Sequence, residues 1–121
     1  MLAKASIVVA VVFTLAAIAV AQTEKPITDL KMLAGTWNGW YNPLRGGAPV
    51  RAQTVIKDDG SFSFHPSGMN MTTGSIALAE GKARYQASVG DPGTVVIIDK
   101  NGKDVLRFIR RDGTIASEFE R

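Results

Sequence analysis

Turn chemistry constrains this chain more than any other feature. From Gly35 onward, short runs rich in Val, Ile, Thr, Phe, Tyr and Trp are interrupted at regular intervals by residues that reverse a backbone. These are Asp58-Asp59-Gly60, Glu80-Gly81, Gly90-Asp91-Pro92-Gly93, Lys100-Asn101-Gly102-Lys103 and Arg111-Asp112-Gly113. Gly, Asn and Asp accept positive φ and Pro presets φ near a turn value, so each cluster favours reversal over continuation. Asn101-Gly102 is the strongest hairpin signal among them. Cutting at the turns predicts eight strands, 35–42, 49–57, 61–65, 69–79, 82–88, 94–99, 104–110 and 114–120. Eight is a number that closes a sheet on itself. The predicted fold class is therefore all-β, an eight-stranded antiparallel up-and-down barrel.

Alternation along the strands supports this count. Val50, Ala52, Thr54 and Ile56 share one face of the second strand, opposite Arg51, Gln53, Val55 and Lys57. Phe62 and Phe64 alternate with Ser61, Ser63 and His65, and Ala83, Tyr85 and Ala87 with Lys82, Arg84 and Gln86. Val95-Val96-Ile97-Ile98 is apolar on both faces, which leaves its inward parity open. Only Thr28-Asp29-Leu30-Lys31-Met32-Leu33 departs from the β pattern: an N-cap candidate precedes apolar residues at near-helical spacing, which predicts a single helical turn.

Ahead of this domain lies a leader. Lys4 is followed by an apolar run from Ile7 to Val20, and Ala19-Val20-Ala21 presents the small-x-small pattern that a signal peptidase cuts. Cleavage after Ala21 is expected, which makes residues 1–21 a signal peptide and gives a periplasmic or secreted protein. An uncleaved anchor is the competing reading, but the apolar run is short for a span of about 20 residues. Residues 22–34 then form an N-terminal segment carrying the helical turn, and residues 35–121 the barrel domain.

Composition excludes several classes. The chain has no cysteine, so disulfides, thiol chemistry and a lipid-modified cysteine anchor are ruled out. The formal charge is +3, one unit of it from Lys4, which is too balanced to argue for nucleic acid. Arg107, Arg110 and Arg111 read as a solvated face and turn flank. His65 is the only histidine and has no second histidine or cysteine to join it in a metal site. Asp58-Asp59-Gly60 and Asp91-Pro92-Gly93 lack the continuing oxygen spacing of calcium loops and read as turns. With no nucleophile elbow, phosphate-cradling loop or dinucleotide fingerprint, the expectation is a non-enzymatic protein without a cofactor.

Leu30-Lys31-Met32-Leu33-Ala34-Gly35-Thr36-Trp37 runs a short helical turn into Gly-x-Trp at the start of the first strand. This resembles the opening signature of the lipocalin-like, or calycin, superfamily. The resemblance implies a barrel closed at one end by the helical turn, with the tryptophan packed at that end. It also implies an arginine of the last strand across the indole, a place that Arg121 matches by order. The chain departs from typical lipocalins in being shorter, lacking a disulfide and showing no clear C-terminal helix. Avidin-like barrels share the Gly-Thr-Trp opening. Their biotin sites draw on several tryptophans around the barrel, whereas this chain has only Trp37 and Trp40, both in the first strand.

The expected function is binding of a small apolar or amphipathic molecule in the open end, by Tyr41, Ala52, Thr54, Phe62, Phe64, Tyr85 and Phe108. Tyr41 either offers its hydroxyl to a ligand or caps the core. Small residues such as Gly39, Ala52, Ala83 and Ala87 would leave a cavity, whereas Phe62, Phe64, Met69, Met71, Leu106 and Phe108 would fill it, and both outcomes stay open. The alternative is a protein-interaction module, an exported inhibitor or envelope accessory factor, acting through its loops and an outward Trp40.

Overall fold

The computed structural model describes residues 22–43 and 47–121. The expected signal peptide lies outside the described residues, as do residues 44–46. The elements are β1 (Gln22–Lys25), a 3-10 turn (Leu30–Leu33), β2 (Gly35–Tyr41), β3 (Val50–Ile56), β4 (Ser61–Pro66), β5 (Thr72–Ala79), β6 (Lys82–Ala87), β7 (Gly93–Lys100), β8 (Lys103–Ile109) and β9 (Ile115–Glu120). From β2 to β9 each strand pairs antiparallel with the next, and β2 returns to pair with β9. The eight-stranded barrel is thus closed, with no helix beyond the 3-10 turn among the described residues.

The tight turns sit where the local chemistry puts them. Glu80-Gly81 and Asn101-Gly102 both have positive φ at their two central residues, the conformation whose twist matches the strands it joins. At the β3–β4 turn, Asp59 Oδ1 accepts from the Ser61 backbone N–H at 2.9 Å and its hydroxyl at 2.7 Å. These hydrogen bonds hold the Asp59 carboxyl below its ordinary pKa.

Two expectations need correction. The segment before the helical turn contains a ninth strand, β1, which pairs with β7 from Gln22↔Lys100 to Lys25↔Ile97. The physical reason lies in β6, which pairs with β7 only from Ala83↔Val95 to Tyr85↔Gly93. The remaining edge of β7 would carry unpaired backbone groups, and β1 supplies their partners. The strand expected over 69–79 begins at Thr72 instead, because the register of β4 and β5 ends at Phe64↔Thr72. Met69 and Met71 therefore lie outside the barrel core, 51% and 55% exposed.

The core divides the barrel into a plugged end and an open one. At the plugged end the 3-10 turn is capped by Asp29, whose Oδ1 accepts from Lys31 N–H at 2.9 Å. This turn places Leu33, fully buried, beside fully buried Trp37. Trp37 donates its indole N–H to the Leu33 carbonyl at 2.8 Å. Arg121 lies over the indole with its guanidinium carbon 4.2 Å from the ring centroid. It also donates to the carbonyls of Ala34 at 2.9 Å and Met32 at 3.0 Å, so one side chain ties the last strand to the turn. Replacing Arg121 with alanine removes this cation–π contact and both hydrogen bonds. Destabilisation of about 1–3 kcal/mol is expected, read as a melting temperature lower by roughly 4–20 °C in thermal denaturation. An unchanged melting temperature would show that the clasp contributes nothing.

The barrel interior above the plug is aromatic. Val95, Ile97, Leu106, Phe108 and Phe119 are buried in one cluster with Ile56, Phe62 and Ile76, which settles the inward parity of β7 as Val95 and Ile97. Two glycines make room for rings across the strand pairs. A Cβ on Gly93 would fall 2.5 Å from Tyr85 Cε2, and one on Gly74 would fall 2.5 Å from Phe62 Cζ. Gly93 is the register partner of Tyr85, and Gly74 that of Phe62. Each glycine thus leaves the space that its partner's ring occupies.

Candidate functional site

The strand ends away from the plug surround an opening. It is framed by the ends of β2, β4, β6 and β8, the starts of β3, β5, β7 and β9, and the β4–β5, β6–β7 and β8–β9 loops. Below it lies a cavity of about 680 Å³. The question of a filled or hollow core is thereby answered in favour of a hollow upper half. The rings that sequence alone allowed to fill the space stand along its wall.

Six aromatic side chains build that wall: Tyr41, Phe62, Phe64, Tyr85, Phe108 and Phe119. They touch one another edge to face in a continuous chain. Tyr41 meets Phe64 at 5.1 Å between centroids, Phe64 meets Phe119 at 6.3 Å, and Phe119 meets Phe108 at 5.9 Å. Phe108 in turn meets Tyr85 at 5.1 Å and Phe62 at 5.5 Å. Such contacts stabilise ring orientations beyond the area they bury, so the wall is set before anything enters. Thr54 sits fully buried in the same wall, its hydroxyl donating to the Ser63 carbonyl at 2.9 Å. That bond satisfies the hydroxyl within the sheet.

Tyr41, Thr54, Phe62, Phe64, Tyr85 and Phe108 are thus brought together around one space. Ala52 is not among them: it is buried in the core cluster, where β3 passes Gly39 of β2. Tyr41 is half-buried, packs on Phe64 and also borders the cavity, so capping the core and facing a ligand are not exclusive. Phe119 went unread in the sequence although it follows the same alternation. Ala87, Ala116 and Ser117 supply the small side chains around the rings.

The polar groups gather at the mouth. Arg110 and Arg111, read from sequence as turn flank, line it together with Asp91, Asp112 and Asn70. Arg110 is half-buried and donates through Nη2 to the Asn42 carbonyl and through Nη1 to Thr114 Oγ1 at 3.5 Å. Asp112 Oδ1 accepts from the Thr114 backbone N–H at 2.9 Å and its hydroxyl at 2.6 Å, which holds its carboxyl below the ordinary range. Burial pushes the Tyr85 phenol above its usual value, and the nearby Arg110 cation works against that rise. Tyr85 therefore remains a protonated donor at neutral pH.

On the outer surface, Trp40 is 47% exposed, with Arg51 stacked 5.0 Å from its ring centroid. His65 is exposed, and its Nε2 shares a hydrogen bond with Ser63 Oγ at 3.0 Å. Among the described residues no group of three or more His, Asp or Glu is placed to hold a metal ion.

The fold and the site together define a class: a closed eight-stranded antiparallel barrel, plugged at one end and hollow at the other. No protein-family model, curated protein or solved structure matches the chain. Its reading therefore rests on its own residues.

Proposed function

We propose that this chain is an exported, non-enzymatic, lipocalin-like binding protein that holds one small apolar or amphipathic molecule in the open half of its barrel. The observation that carries the reading is the cavity itself. A space of about 680 Å³ walled by six aromatic rings falls within the roughly 300–1,000 Å³ of small-molecule sites. Such a space lowers stability unless something uses it, since empty apolar volume forfeits packing. Its polar groups sit at the mouth, where they can orient an entering molecule without reacting with it. The leader supports export, and an exported protein beginning at Gln22 by intact mass would bear that out.

Native mass spectrometry of protein purified from an exported fraction, with titration of the neutral dye N-phenyl-1-naphthylamine, tests the binding. A co-purifying small molecule or saturable dye fluorescence near one equivalent is expected. Ala87→Trp places an indole in the cavity from a half-buried wall position. It should weaken dye binding by at least about tenfold, the equivalent of losing 1.4 kcal/mol of contact. A bare mass with no saturable response would sink the proposal.

The second reading, a protein-interaction module, has its own support. Met69, Met71 and Val89 are exposed on two mouth loops, Val89 at 74%, and Trp40 is exposed on the barrel side. Apolar side chains displayed on loops suit a partner surface. Retention of a partner by the native chain but not by a Met69→Ser/Val89→Ser variant would favour it.

A further inference from the structure

Resting on the binding reading above, we propose that the occupant is an amphipathic organic anion. Its carboxylate is held by Arg110 at the mouth, and its apolar body lies against Phe62, Phe64, Phe108 and Phe119.

Among the described charged side chains that line the cavity, only Arg110 is half-buried. The ion pairs among the described residues join Lys25 and Arg121 to Asp104, Lys103 to Glu120 and Arg107 to Glu118. Arg110 takes part in none of them. It is nonetheless half-buried on the wall of an apolar space, where it has no carboxylate in direct contact and Asp112 balances it only at longer range. The other charged groups of the rim, Asp91, Arg111 and Asp112, are exposed. Beside the hydrogen bonds from Thr114, the Arg110 charge helps hold the Asp112 carboxyl low, yet the two make no direct ion pair. The Thr114 hydroxyl stands between them, accepting from Arg110 and donating to Asp112.

Arg110 is also held in place. Its bonds to the Asn42 carbonyl and the Thr114 hydroxyl fix the guanidinium between the residue that follows β2 and the β8–β9 loop. A guanidinium carries five N–H donors in a rigid fork, so those two bonds leave others for a ligand. The fork matches a carboxylate in shape and charge. The phenols of Tyr41 and Tyr85 border the same cavity and add two neutral donors. Below them the wall is aromatic, which suits a hydrocarbon body.

The test uses one tail with three heads. Dodecanoate, dodecan-1-ol and dodecylammonium each compete with N-phenyl-1-naphthylamine at pH 8, in the native chain and in Arg110→Gln and Arg111→Gln. In the native chain the acid should bind about ten- to a hundredfold more tightly than the alcohol, the size of a charge-assisted hydrogen-bonded contact. The ammonium should bind weakest. Arg110→Gln should bring the acid-to-alcohol ratio close to one. A general loss of fold weakens both ligands and leaves that ratio alone.

Equal binding of all three heads to the native chain would overturn the anion assignment while leaving the cavity reading intact. Failure of the dye and every ligand to bind would overturn the cavity reading and this inference with it. A ratio kept in Arg110→Gln but lost in Arg111→Gln would remove Arg110 from the role.

Discussion

Replacing Trp37 with alanine is expected to lower stability by about 3–5 kcal/mol, the range for deleting a buried aromatic side chain. Natural domains have only about 5–15 kcal/mol in total, so the variant should melt at least about 12 °C lower or be partly unfolded at room temperature. The size of the effect follows from its position. Trp37 is fully buried, bonded to the Leu33 carbonyl and covered by Arg121, so its loss leaves a void, an unpaired carbonyl and a guanidinium without its ring. Trp37→Phe keeps most of the packing and loses the N–H, and should cost about 1–3 kcal/mol. Circular dichroism melts of the two variants check the order. If alanine were no worse than phenylalanine, the plug would not depend on the indole.

Gly39→Ala should open the seam of the barrel. Gly39 pairs with Phe119 where β2 returns to β9. A Cβ there would collide with the Glu118 carbonyl and sit 2.8 Å from Phe119 Cα, both backbone atoms that cannot turn aside. Overpacking against side chains typically costs about 1–3 kcal/mol, and here the seam itself must shift, so a loss on the order of 3 kcal/mol is expected. Its signature is local: amide hydrogen exchange should speed up first in β9 and in the Asn38–Tyr41 half of β2. Uniform protection across the sheet would show that the seam absorbs a methyl group.

These two residues differ in how legible they were. Trp37 stands out because its neighbours in sequence, from Leu30 to Gly35, already describe a turn running into a strand. Gly39 does not, since its constraint comes from residues 118 and 119, far along the chain. The same split runs through the site. Phe62, Phe64 and Tyr85 could be assigned to the interior because alternation is a property of each strand alone. Ala52, on the inward face of its own strand, was expected in the wall and lies in the core cluster instead. Alternation tells in from out but not which inward side chains border the open space: Ala52, paired with Pro66, lies nearer the mouth than Thr54, yet only Thr54 lines the cavity.

Sequence by itself therefore determined what is local: the turns, the eight barrel strands and the inward faces of strands with clear alternation, such as β3, β4 and β6. These depend on backbone preferences over a few residues and on a period of two. Tertiary structure alone decided the rest. The cavity is a matter of volumes summed across strands, and Gly74 and Gly93 leave the space that the Phe62 and Tyr85 rings occupy beside it. The pairing of β1 depends on how far β6 reaches along β7, and the exposure of Met69 and Met71 on where the β4–β5 register ends. Arg110 became a cavity residue because the closed sheet brought the end of β8 beside the end of β2, a juxtaposition that no local rule contains.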